Sequence, residues 1–227
     1  MELDGVFLDL YGTLTTGDRD AVEAVCAEVV RDCGLAISAY ELSIAWGERF
    51  FGFLDACDGS GFLTLFDVEM KTLVETMAPL GVDVEPRTYA ERLREYWRNP
   101  PLQEEVEQFL AEFRTPICIV SNADRADAEA VVKQNHLPIE HLVTSEDARS
   151  YKPHREIFEM ALARTGWRRD RVIHVGDSLH SDVGGAIAAG IRSGWVNRTH
   201  RIHDIGNHEP DHEFADLLGL AALVERR

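Results

Sequence analysis

From Val106 onward the chain alternates short apolar runs with stretches of helical spacing, and this alternation restricts the fold more than any other feature. Val106 to Phe113 has helical spacing, and "PICIVSN" (116–122) reads as a buried strand running into a loop. Ala126 to Asn135 reads as helix, "HLVTSE" (141–146) as a short strand and Glu156 to Thr165 as helix. "RVIHVGDS" (171–178) is a strand and loop, Ser181 to Ala189 a helix, and "RSGWVN" (192–197) a further strand. Near the start, Val6 to Leu10 forms another apolar run, ended by Gly12. Near-continuous apolar strands with helices between them predict a parallel sheet covered on both faces. The expected class is α/β, with a Rossmann-like doubly wound parallel sheet as its core.

The segment between the first strand and the second has a different character. Val22, Val25, Cys26 and Val29 fall at i, i+3, i+4 and i+7, one face of a helix. Acidic and aromatic helices continue to about Trp97, with breaks at "CDGSG" (57–61) and "PLGVDVEP" (79–86). "RNPP" (98–101) then marks a boundary. The expected organisation is a core of residues 1–15 and 99–227 with an α-helical insertion at 16–98. A chain of 227 residues is long enough for both.

Forty acidic against 23 basic residues give a formal charge of −17. Nucleic-acid binding needs clustered Lys and Arg, so it is not expected. A small phosphate ligand stays compatible, because one lysine, a cation and backbone amides bind it locally. Cys26, Cys33, Cys57 and Cys118 show no close metal-ligand spacing and read as scattered reduced thiols. No signal peptide and no apolar stretch long enough to span a membrane stand out. A cytoplasmic protein, monomer or homodimer, acting on a small molecule is expected.

In parallel sheets of this kind ligands sit beyond the carboxyl ends of the strands. Asp9 stands there, with Gly12 permitting a tight turn and Thr13 offering a hydroxyl. Ser121 and Asn122 follow "ICIV" and present a hydroxyl, an amide and backbone N–H groups, although both types also suit a plain turn. Lys152 in "SYKPHREIF" precedes a helix that Pro153 is expected to start. A cation there opposes the helix dipole, which favours a functional role over a stabilising one. "VGDSLHSDVGGA" (175–186) sets Asp177 and Asp182 around a strand-to-helix loop. These are hard oxygen donors suited to magnesium, with helix capping as the other reading of Asp182.

Taken together, the sequence resembles the haloacid dehalogenase (HAD) superfamily of hydrolases. "DLYGT" matches its first motif, "VSN" its second, "YKP" its third and "GDSLHSD" its fourth. The resemblance implies that residues 16–98 form a helical cap and that Asp9 is the nucleophile. It further implies that Thr13, Ser121 and Lys152 bind the group under attack, with Gly12 and Asn122 lining it. Magnesium would be held by Asp9, Asp177 and the carbonyl of Tyr11, with Asp182 in support.

Tyr11 divides the family in two. The phosphatases carry an acid at that place, as DxDGT, which protonates the leaving alkoxide and later activates water. The 2-haloacid dehalogenases carry Tyr there, since halide leaves without a proton and their carboxylate attacks carbon with no metal. Yet those dehalogenases carry Ser where this chain has Asp177, and Asn where it has Ser178. Asp177 is an unneeded negative charge for a metal-free site that binds an anionic haloacid. Two such carboxylates repel by roughly 4 kcal/mol at intermediate dielectric, and a divalent cation removes that cost. The expectation is therefore a magnesium-dependent phosphatase of small phosphorylated metabolites, acting through an aspartyl-phosphate on Asp9. The alternatives are a 2-haloacid dehalogenase and a catalytically weak member that binds a ligand or partner. His180, inside the fourth motif, is a candidate for the missing acid, and Arg49 a candidate substrate contact.

Overall fold

The centre of the sheet is β1 (Gly5–Leu8), a short run of four buried residues. The computed structural model describes residues 2–57, 59–201 and 208–224. Five further strands complete the sheet: β2 (Ile117–Ser121), β3 (His141–Thr144), β4 (Val172–Gly176), β5 (Arg192–Val196) and β6 (His212–Phe214). Their order is β3-β2-β1-β4-β5-β6, and every adjacent pair is parallel. The chain builds outward from β1 in one direction through β3, then crosses back to β4 on its other side. Beyond the ends of β1 and β4 this reversal leaves a crevice, the usual ligand position in such sheets.

Alternate residues of each strand face opposite layers, as a pleated strand requires. Val6, Leu8, Ile119, Ile173 and Val175 pack against α5 (Val106–Glu112), α6 (Arg125–Gln134) and α10 (Leu217–Val224). Phe7, Cys118, Val120, Val143 and Val172 pack against α8 (Arg155–Thr165) and α9 (Gly185–Ala188). Each fully buried large apolar side chain contributes roughly 1.5–3 kcal/mol, so both layers hold the sheet firmly. α7 (Ser145–Ala148) is a single turn, closed by a capping box between Thr144 and Asp147.

Four helices lie between β1 and β2 in the chain: α1 (Asp18–Cys33), α2 (Ala39–Ala56), α3 (Leu65–Met77) and α4 (Pro86–Arg98). They bury a cluster of their own that includes Val25, Val29, Leu42, Trp46, Leu73, Met77 and Leu93. Ser38 and Glu41 form a capping box at the start of α2, and Pro86 occupies the first turn of α4. The chain leaves and rejoins the sheet layer at one place. Thr15 and Leu102 form an antiparallel bridge, with Thr16 N donating to Pro101 O and Gln103 N to Leu14 O.

The α/β class and the doubly wound parallel sheet match the sequence reading, and four local features differ. β1 stops at Leu8, so Asp9 and Leu10 belong to the turn. Residues 181–189 are not one helix: a π-helical turn (Leu179–Gly184) precedes α9, because Ser178 caps it through Ser181 N and Asp182 folds back to Ser178 N. Pro153 does not start α8; the Lys152–Pro153 bond is cis, His154 is the N-cap, and the helix begins at Arg155. β6 and α10 were not foreseen. Of the expected core segment 99–227, residues 202–207 and 225–227 lie outside the described residues, as does residue 58 of the insertion.

Candidate active site

Asp9 leaves the end of β1 with its N–H donating to Val175 O of β4 at 3.0 Å, which fixes the carboxylate over the crevice. The residue is 5% exposed. Its Oδ1 accepts from Lys152 Nζ at 2.6 Å and its Oδ2 from the Thr13 hydroxyl at 3.2 Å. Lys152 is itself buried and places a second bond of 2.6 Å on Asp182 Oδ1. The lysine suspected from its helix-opposing position therefore serves two carboxylates and not the helix.

Asp182 is saturated. Its Oδ1 receives Lys152 and His174 Nε2 (2.9 Å), and its Oδ2 receives the Ser178 N–H (3.0 Å). Gly176 makes room for it, since a Cβ there would stand 2.1 Å from Asp182 Cγ. Burial works against the Asp182 charge, yet Lys152 and His174 hold its carboxyl well below the ordinary range. Burial also raises Asp9, and there the effect of Lys152 falls short, partly because the charge of Asp182 adds to the rise. One ammonium shared by two acids favours the one with more donors.

Asp177 completes the cluster. One carboxylate oxygen from each of Asp9, Asp177 and Asp182 lies within 4.8 Å of the others. Burial, then the charges of Asp182 and Asp9, push the Asp177 carboxyl up to about 7. Arg201 opposes the rise, at 4.0 Å from Oδ2. Gly12, at φ +81°, brings the first loop against it: a Cβ there would sit 2.7 Å from Asp177 Oδ1. Hard carboxylate oxygens that repel one another fit a divalent cation such as magnesium. Because Asp182 is occupied by three donors, Asp9 and Asp177 are the direct ligands on offer, with Asp182 behind them.

The second and third motifs are stitched together by Asn122. Its Oδ1 accepts from Lys152 N at 2.7 Å and its Nδ2 donates to Lys152 O at 3.2 Å. That sets the lysine backbone, a role the sequence did not suggest. Ser121 Oγ is buried and has no hydrogen-bond partner among the described residues, leaving a hydroxyl free at the strand end. Arg198 braces the first loop through the carbonyls of Gly12 (3.0 Å) and Thr13 (2.8 Å).

The insertion packs against this end of the core. Tyr11 points to it: its hydroxyl donates to Trp97 O at 2.7 Å. Burial and nearby acids raise the phenol above its ordinary pKa. Trp97 Nε1 donates to Glu69 Oε1 at 2.6 Å, and Glu69 is 3% exposed. Asp124, just past the second motif, accepts from Leu65 N (2.7 Å) and Phe66 N (3.2 Å) at the head of α3. His180 is held by Asp55 of α2 at 2.8 Å, and Arg49 stands exposed on α2. His174, Asp124 and Glu69 were missed from sequence. Only His174 carried a signal, as a histidine inside the apolar run "RVIHVG".

A model of the haloacid dehalogenase-like hydrolases matches residues 3–190, and the chain belongs to that family. An (S)-2-haloacid dehalogenase of Pseudomonas fluorescens is 24% identical over 223 residues, covering 95% of this chain and 93% of that protein. N-acylneuraminate-9-phosphatase of Mus musculus is 25% identical over 236 residues, covering 99% and 92%. The solved structure of L-2-haloacid dehalogenase from Xanthobacter autotrophicus superposes with a TM-score of 0.80 at 18% identity, covering 98% of each chain. Family, fold and hydrolase class are thereby fixed. No helix among the described residues is long and apolar enough to cross a membrane.

Proposed function

We propose that the chain is a magnesium-dependent phosphohydrolase of small phosphorylated metabolites, with residues 16–98 acting as a cap over a core of 1–15 and 99–227. The observation that carries this reading is Asp177. Its carboxylate faces Asp9 and Asp182 in a cluster with one shared lysine, an arrangement that a divalent cation stabilises. Asp9 and Asp177 would hold the ion, with the Tyr11 carbonyl as the third protein ligand that the family resemblance supplies. Bound there, magnesium would neutralise the carboxylates and the oxygens of a phosphoryl group. Asp9 attacks phosphorus, forming the aspartyl–phosphorus bond as the bond to the leaving oxygen breaks, and water then cleaves the acyl phosphate. Thr13, Ser121 and Lys152 bind the phosphoryl oxygens, and Asn122 holds Lys152 in register.

A second reading, 2-haloacid dehalogenase, is favoured by Tyr11 and by relatedness. Four curated relatives with that kind of activity in their names match over 92–95% of this chain. In that reading Asp9 attacks the halogen-bearing carbon and halide departs unprotonated. Asp177 is the feature it does not account for. A panel of phosphorylated metabolites, with magnesium and with EDTA, run beside halide release from 2-chloropropionate, separates the two. Magnesium-dependent phosphate release is the expected outcome. Halide release unaffected by EDTA, with no phosphate release, would replace the first reading with the second. Turnover of neither would point to a ligand-binding member of the family.

A further inference from the structure

We propose that His174 is a positioning residue for the nucleophile, acting through Asp182 and Lys152. His174 sits in the middle of β4 between Ile173 and Val175, in register with Phe7 on one side and Ser193 on the other. Its side chain is fully buried, edge-on to Phe158 with ring centroids 4.9 Å apart. An apolar side chain would suit that place and leave no polar atom dry. The imidazole does leave one, for Nδ1 has no hydrogen-bond partner among the described residues. A buried polar atom left unpaired loses its hydration without compensation. The other nitrogen supplies the reason to keep it.

His174 Nε2 lies 2.9 Å from Asp182 Oδ1, the same oxygen that Lys152 Nζ reaches at 2.6 Å. Asp182 Oδ1 already accepts from the Lys152 ammonium, so the hydrogen of the pair is assigned to Nε2, which donates. Two donors on one oxygen, with the Ser178 N–H on the other, stop the carboxylate from rotating. Lys152 is then aimed along one direction at Asp9 Oδ1, 2.6 Å away. Without the imidazole, Oδ1 would be held by the flexible lysine alone, and the aim of Lys152 on the nucleophile would be lost. The chain His174–Asp182–Lys152–Asp9 is complete within the core and makes no use of the insertion. It is also common to both readings of the reaction, since Asp9 attacks and Lys152 attends it in each.

The test compares His174→Phe, which fills the space without a donor, with His174→Gln, which returns an N–H at similar reach. Activity is measured on whichever of an aryl phosphate with magnesium or 2-chloropropionate the wild type turns over. Failure of the phosphohydrolase reading therefore shows in the wild type and leaves this comparison intact. In His174→Phe, kcat is expected to fall about 10- to 100-fold, the size typical of losing a group that orients a liganding side chain, with KM little changed. His174→Gln should recover most of the loss at an unchanged melting temperature. A wild-type kcat in His174→Phe, an equal loss in both variants, or a change confined to KM would overturn the proposal. Should the variants not fold, or the wild type turn over neither substrate, ring 15N NMR of the wild type decides. Hydrogen on Nε2 with slow exchange is expected, and hydrogen on Nδ1 would overturn it.

Discussion

Tyr11 donates its phenolic proton to the main-chain carbonyl of Trp97 at 2.7 Å, and its ring meets the Trp97 indole edge to face at 5.2 Å. The side chain two residues after Asp9 is thus spent on a bond between the Asp9 loop and α4. Its hydroxyl is not poised over a leaving group, and its raised pKa makes it a weaker acid still.

Under the phosphohydrolase reading, this relationship predicts a discrimination among phosphate esters. General acid catalysis typically contributes about 10²- to 10⁴-fold, so alkyl phosphates should be slower than aryl or acyl phosphates by a factor of that order. Tyr11→Phe should leave the slope of log kcat against leaving-group pKa unchanged, while Tyr11→Asp should flatten it at saturating magnesium. A flat slope in the wild type would assign proton donation to another group.

Asp9→Asn should abolish turnover, because an amide is not a nucleophile. The same substitution should not lower the melting temperature without metal, since burial and Asp182 already disfavour the Asp9 charge. Steady-state assays, with mass spectrometry to exclude deamidation, and thermal unfolding check both statements.

Asp177→Asn should weaken magnesium binding by at least about tenfold in isothermal titration, as expected for a lost ligand. Unchanged affinity, or no binding by the wild type, would favour the dehalogenase reading.

Glu69 gives a pH dependence of stability. Burial pushes its carboxyl up to about 8, from 4.5 in an exposed chain, although Trp97 donates to it. The folded state therefore holds the proton more tightly than the unfolded state. Stability from this group is full below about 4.5 and falls as pH rises toward 8. Glu69→Gln should flatten that decline in urea unfolding between those limits, while the amide oxygen keeps the Trp97 bond.

Asp124→Ala should loosen α3. Asp124 takes the Leu65 and Phe66 N–H groups and lies 3.6 Å from Arg94, which stacks on Phe66. Losing this cap should cost about 1–2 kcal/mol and speed hydrogen exchange at Leu65 and Phe66. Unaltered exchange there would mean that Thr64, the helix's own N-cap, is sufficient.

Much of the fold was legible because the strands of a covered parallel sheet are short and apolar. The runs at 6–8, 117–120 and 172–175 could be little else. β6 escaped because "HEF" is three residues with one buried side chain. At the site, Asp9 and Lys152 stood out through position and an unfavourable helix dipole. What stayed hidden depends on tertiary proximity. Asn122 grips Lys152 from 30 residues away, and Trp97 meets Tyr11 across 86. No local pattern encodes either meeting.

The antiparallel bridge between Thr15 and Leu102 has a consequence for how such proteins diversify. Because the chain departs and returns side by side, the intervening residues close a loop whose ends are already joined by the core. Loop-closure entropy grows only slowly with length, by about 0.6 kcal/mol per doubling. Segments of very different size can therefore be exchanged at this junction while the sheet and its acids stay where they are. The junction is a splice point, at which the insertion can change without rebuilding the sheet.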